Sequence, residues 1–183
     1  VTNELTSQVR KGTERACVAF TANVAALGFQ RTSKMFWVRV HEHSADVLHI
    51  HRGGSSYGAP INASVSLRVD LAIRVLNDSF PAIALNGPSS DTAVRYHLRF
   101  NARSFDMFDR CIHDLERYVR EVGEPWFALF REPDALLLRP DSPLQADGKA
   151  HLQDALAGRH SEANIQLTRK ELGLERTRKG VAG

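Results

Sequence analysis

Between residues 63 and 76 the chain alternates without a break: Val65, Leu67, Val69, Leu71, Ile73 and Val75 are apolar, while Ser66, Arg68, Asp70 and Arg74 fall between them. Successive side chains of an extended strand point to opposite faces, so this ladder reads as a long strand with one oily side and one polar side. A sheet built on it must bury the oily side against another layer. Two helical stripes are available for that purpose. Over 3–27, Leu5, Val9, Ala16, Phe20, Val24 and Leu27 recur mostly every three or four residues, and Gly28 stands where a left-handed residue would end the helix. Over 104–122, Phe105, Phe108, Ile112, Leu115, Val119 and Val122 do the same, with Ser104 as cap, Gly123 as stop and Pro125 beyond.

Shorter alternating segments at 35–41, 46–52 and 93–101 complete a predicted sheet, the first two joined by a hairpin turn over 42–46. Segments 53–61 and 77–92 carry Gly and Pro and read as loops. Trp126, Phe127, Leu129 and Phe130 read as an apolar plug. Residues 139–149 hold Pro140, Pro143 and Gly148 and read as a linker. Beyond it, 150–157 and 161–176 read as helices with sparse apolar anchors, and 176–180 as a frayed end. The expected fold class is α+β: a four-stranded antiparallel sheet with two long helices packed on one face, plus a C-terminal helical segment. The domain spans 1–138, and 139–183 form a linker and helical C-terminal extension.

The net charge of +3 over 183 residues hides an uneven distribution. Residues 1–103 carry 12 Lys and Arg against 7 Asp and Glu; residues 104–168 carry 7 against 12. If the alternation holds in every strand, the polar face of the sheet collects Trp37, Arg39, His41, His49, His51, Ser66, Arg68, Asp70, Arg74, Arg95, His97 and Arg99. Like charges side by side across strands repel, and an anionic partner would offset that repulsion, as would water and salt. Arginine forks hold phosphates, and Trp37 or Tyr57 could stack on a base. The leading expectation is therefore a phosphate-bearing or nucleic-acid partner bound by Arg39, Arg68, Arg95, Arg99 and Trp37.

Two other classes of function stay open. A phosphodiesterase or ribonuclease-like enzyme on the same face would use His49, His51 or His97 for proton transfer and the arginines for transition-state charge. A protein-interaction module of immunity or antitoxin type would use the acidic helix 104–122 through Asp109, Asp114 and Glu116. A metal at His49-x-His51 would need a third ligand from His41, His97 or Asp70, against the field of nearby arginines; no metal is expected. Gly53-Gly54-Ser55-Ser56-Tyr57-Gly58 matches no nucleotide-binding loop, and no cofactor is expected.

The sequence holds no stretch of 18 apolar residues, so no membrane association is expected. Cys17 and Cys111 are far apart and fall in helical patterns, which fits buried thiols in a reducing cytoplasm.

The run of a helix, then Leu27-Gly28-Phe29-Gln30-Arg31, then Phe36 and Arg39 in a strand resembles the opening of the bacterial domain-of-unknown-function family 4304 (DUF4304). The resemblance extends over 13–138 through the strand opening Asn62-Ala63-Ser64-Val65 and the element Pro125-Trp126-Phe127 that follows a helix. His49 and His51 stand where that family's pattern leads one to expect Gln. The resemblance implies an α+β fold and assigns no activity.

Overall fold

A computed structural model of the chain describes residues 2–53, 60–92 and 95–175. Helix α1 (Thr2–Ala25) is followed by strands β1 (Gln30–Arg31), β2 (Phe36–Val40), β3 (Ser44–Gly53), β4 (Ser64–Val75) and β5 (Arg99–Asn101). Helix α2 (Phe108–Tyr118) runs through a π-turn (Val119–Gly123) into α3 (Glu124–Leu129), and α4 (Pro133–Leu138), α5 (Ala146–Leu156) and α6 (Glu162–Glu171) complete the chain. The five strands form one antiparallel sheet in chain order, β1-β2-β3-β4-β5. The α+β class holds, with one strand more than the alternation shows. Two-residue β1 is too short to display a period.

The long ladder is β4, and Val65, Leu67, Val69, Leu71, Ile73 and Val75 all enter the main core. The two stripes cover that face: Val9, Ala16, Cys17, Phe20 and Val24 from α1, and Phe108, Cys111, Ile112, Leu115 and Tyr118 from α2. Gly28 ends α1 at φ 85°.

Ser104 does not cap α2. Its hydroxyl bonds Asp106, Phe105 and Met107 turn left-handed at φ 60° and 62°, and the helix starts at Phe108. Nor does Gly123 stop it. Pro125 lacks an N–H and its ring would strike the carbonyl one turn back, so the ladder widens into the π-turn and then continues as α3.

Strand 93–101 contracts to Arg99–Asn101; residues 93 and 94 lie outside the described ones. Arg95–His97 leave the sheet because the buried carboxylate of Asp114 accepts the N–H of His97 at 2.8 Å, while Leu98 O still accepts the N–H of Leu67 at 2.8 Å. Beside this gap the edge of β4 is closed by the segment before it. Asn86 pairs both ways with the backbone of Ile73, at 2.9 and 3.0 Å, and Ser90 accepts the N–H of Val69 at 2.8 Å. Side chains here do what a neighbouring strand would do.

The second face of the sheet is covered at one end. Val38, Ala45, Val47 and Ala72 pack with Leu172, which is fully buried, and with Phe36, Ile83 and Leu174. Asn77, at the end of β4, fastens the C-terminal helices there. Its side chain bonds His151 O, Arg159 O and Ser161 N, and its carbonyl accepts from Asn164. Leu144 and Leu152 reach the main core on the other side. Most of the expected loop 53–61 and the expected frayed end at 176–180 lie outside the described residues. No described helix is long and apolar enough to cross a membrane.

Candidate functional site

Cross-strand register decides which side chains share a face. Phe36 sits opposite His49 and His49 opposite Asp70; Trp37 sits opposite Leu48 and Leu48 opposite Leu71. His49, His51, Ser66, Arg68, Asp70 and Arg74 therefore do share one face, as the alternation predicts. The strand β2 is read in the opposite sense: Phe36 and Val38 join that face, and Trp37 and Arg39 turn to the helices.

Trp37 is fully buried, edge-on to Phe20 at 5.0 Å, with its indole N–H donated to Thr21 at 2.9 Å. It offers no surface for a base. Arg39 bonds Asp46 at 2.9 Å, Leu27 O at 2.8 Å and Glu124 at 3.1 Å, and lies 4.4 Å over the Phe29 ring. Burial opposes its charge, but the two carboxylates outweigh it and the net pKa shift is upward. His41 joins the same cluster through Asp46 at 2.8 Å. These groups are a buried strut, not an anion site. The misreading has a physical origin: both faces of β2 are covered, so apolar side chains on it do not mark the inside.

The other expected anion-binding residues separate as well. Arg95 lies outside the sheet, paired with Glu121 at 2.9 Å and with the Tyr96 hydroxyl at 2.7 Å. His97 precedes β5, tied through its backbone to Asp114. Arg99 is exposed, opposite Ser66 at the β5 edge. Arg74 is buried beneath α6 against Asp78 and Thr168. In the acidic helix, Asp114 is buried, held by Arg110 at 2.9 Å and Arg117 at 2.8 Å, so it presents nothing to a partner; Glu116 is paired with Arg120. Tyr57 lies outside the described residues.

What remains is a compact constellation at the open end of β3. His49 stacks on Phe36 at 4.5 Å, with an interplanar angle of 24°. Its Nδ1 lies 3.7 Å from Asp70 Oδ2, too long for a hydrogen bond. Asp70 is fixed by Arg68 Nε at 3.0 Å, and Arg68 also reaches Asp91 at 3.0 Å. The ring of His51 lies 6.2 Å from that of His49. Burial pushes the pKa of His49 down; Asp70 pulls it back up in part, while His51 and Arg68 add to the fall.

Strand β2 begins at Phe36, whereas β3 runs on to Gly53; the last rung beyond their pairing is the bond from Ile50 N to Met35 O, 2.9 Å. The end of β3 and the flank of α1 enclose a cleft of about 620 Å³ lined by Arg10, Thr13, Glu14, Lys34, Met35 and His49–Arg52. Its one carboxylate, Glu14, is clamped by both ends of the Arg31 guanidinium at 2.7 and 2.8 Å, which holds its pKa below the usual range. Lys34 adds its charge to that of Arg31 in lowering the Glu14 pKa, whereas Arg10 and Arg52 have no carboxylate partner among the described residues. Sequence reasoning misses Arg10 and Lys34 because the fold brings them to His49 from α1 and from the turn before β2. A usable signal was Arg10, Thr13 and Glu14 at helical spacing along the border of the α1 stripe.

No group of three or more His, Cys, Asp or Glu able to hold a metal ion occurs among the described residues. No protein-family model, curated protein or solved structure matches the chain.

Proposed function

We propose that the protein binds a phosphate-bearing polyanion, single-stranded nucleic acid being the class that fits best, in the basic cleft at the end of β3. One observation carries the reading: Arg10, Lys34, Arg52, His49 and His51 line a single cleft whose only carboxylate among the described residues, Glu14, is already clamped by Arg31. Guanidinium groups without carboxylate partners, as Arg10 and Arg52 are, are what a phosphate displaces water from at least cost. On the His49 face of the sheet Arg68, paired with Asp70 and Asp91, lies opposite His51, and exposed Arg99 lies opposite Ser66. That track is longer than one phosphate, which favours a polymer over a free anion. A cytoplasmic setting belongs to the proposal, since both cysteines are free and buried. Kinship with family 4304 is proposed on the sequence motifs alone and concerns the fold.

The test is titration of a labelled 12-nucleotide single strand at 50 and 200 mM salt. Three phosphate contacts give a log–log slope of about −2, hence a roughly 20-fold loss of affinity between those concentrations. Replacing Arg10, Lys34 or Arg52 by Ala reduces the slope by about 0.7 each. Binding that ignores salt, or that survives all three replacements unchanged, removes the cleft from consideration.

A further inference from the structure

We infer that His49 and His51 form a proton-transfer pair that cleaves RNA, by attack of a ribose 2′-hydroxyl on the adjacent phosphodiester; the inference rests on the cleft being the nucleic-acid site. The two imidazoles sit at alternate positions of one strand, so both point to the same face, and their rings are 6.2 Å apart. In an in-line displacement at phosphorus the entering and leaving oxygens are on opposite sides, roughly 4 Å apart, and each needs a proton-transfer group within about 3 Å. A pair of imidazoles at this spacing can straddle such a phosphorus atom. Both line the cleft, and Arg68, opposite His51 in the register and on the same face, is a cation on that side for the phosphoryl oxygens as charge develops on them, while Arg52 alternates to the other face.

The balance of the step is complete with the substrate alone. His49 takes the 2′-hydroxyl proton, the 2′-oxygen bonds to phosphorus, and the bond from phosphorus to the 5′-oxygen breaks. His51 donates a proton to that leaving oxygen. The products are a 2′,3′-cyclic phosphate and a free 5′-hydroxyl, and proton exchange with water restores both imidazoles. The roles follow from the surroundings. His49 is stacked on Phe36 and faced by Asp70, Arg68 and His51; burial disfavours its charged form, which suits a base. Asp70, itself anchored by Arg68, faces it from β4, and its charge favours the imidazolium that forms when His49 takes up a proton. His51, two residues further along β3, is half-buried like His49.

The experiment uses the full chain with a labelled oligoribonucleotide, its all-deoxy counterpart, and a deoxy strand carrying one ribonucleotide. Binding and cleavage are measured in the same samples. The expected result is cleavage of RNA and of the single-ribonucleotide strand on the 3′ side of the ribose, with 2′,3′-cyclic phosphate ends and no cleavage of DNA. His49→Ala and His51→Ala each slow cleavage by about 10²–10⁴-fold at saturating RNA, beyond any loss of affinity measured in the same samples. The wild-type pH–rate profile is bell-shaped, and each substitution removes one limb. His49→Gln and His51→Gln repeat the test with better-preserved packing, and Arg131→Ala, purified in parallel, cleaves as wild type. Tight, salt-sensitive binding without cleavage overturns the inference and leaves the binding reading standing. Cleavage unchanged in both histidine variants, or extending to DNA, also overturns it. Absence of both binding and cleavage overturns the two readings together.

Discussion

Replacing Asp114 by Ala tests the account of why the sheet ends where it does. This carboxylate has no exposed surface and accepts three bonds, from His97 N at 2.8 Å, Arg110 Nε at 2.9 Å and Arg117 Nη1 at 2.8 Å. Losing it leaves the His97 N–H without an acceptor, at about 1–3 kcal/mol. The two guanidiniums are partly in water, so their loss adds only about 1 kcal/mol together. The sum is about 2–4 kcal/mol, and for a chain of this size each kcal/mol lowers Tm by about 2–4 °C. Asp114→Ala is expected to melt about 5–15 °C below wild type at pH 7, and Asp114→Asn, which keeps an acceptor for the N–H, by less than half of that. Burial alone would raise the Asp114 pKa; the His97 N–H and the two arginines overcome it and hold the group below the usual carboxylate range. A depressed folded pKa stabilises above the unfolded value, near 3.9, and that stabilisation is lost as pH falls through the folded one. The gap between wild type and Asp114→Asn is therefore constant from pH 5 to 8 and narrows below about pH 4. Thermal melts of the three proteins at pH 3, 5 and 7 measure this. An Asp114→Ala protein melting within 2 °C of wild type at pH 7, or a gap to Asp114→Asn that widens in acid, refutes the reasoning.

Asn86→Ala removes both bonds to the backbone of Ile73 and bares part of the β4 edge; it is expected to cost about 1–3 kcal/mol in urea unfolding and to raise the rate of aggregation. Asn77→Ala unfastens α5 and α6 from the end of β4, so amide exchange over 146–172 speeds up while that of β3 and β4 does not; equal acceleration in the sheet contradicts the assignment. Gly87→Ala places a methyl carbon 2.6 Å from the Trp126 ring and 2.8 Å from Leu71 O, and is expected to destabilise by about 1–3 kcal/mol in the same urea assay.

The parts of the fold legible in the sequence are those whose apolar residues keep one period. The stripes of α1 and α2 and the first half of β4 bury one side; in its second half β4 is covered on both faces, but its apolar and polar residues still alternate, so period alone locates all three. Strand β2 is covered twice, by α1 and α3 on one side and by the chain around Leu172 on the other, so its alternation carries no information about inside and outside. Trp37 and Arg39 were misplaced for that reason. Helix α2 was misread at both ends because its boundaries depend on left-handed residues and a proline bypass, which composition does not announce. Of the site, the pair His49 and His51 was visible from its spacing, and so was the facing pair Arg68 and Asp70. Arg10 and Lys34 were not, because their approach to β3 is a product of tertiary packing.

The meander has a consequence for how the chain reaches this state. Each strand from β2 to β4 pairs with its immediate predecessor, so the sheet can be assembled one hairpin at a time as polypeptide is synthesised, with little loop-closure entropy at any step. The cover over Val38, Val47 and Ala72 arrives from about a hundred residues later. Until Leu172 emerges, a greasy patch on a nascent sheet stays wet, and that interval is when a ribosome-bound chaperone has the most to shield.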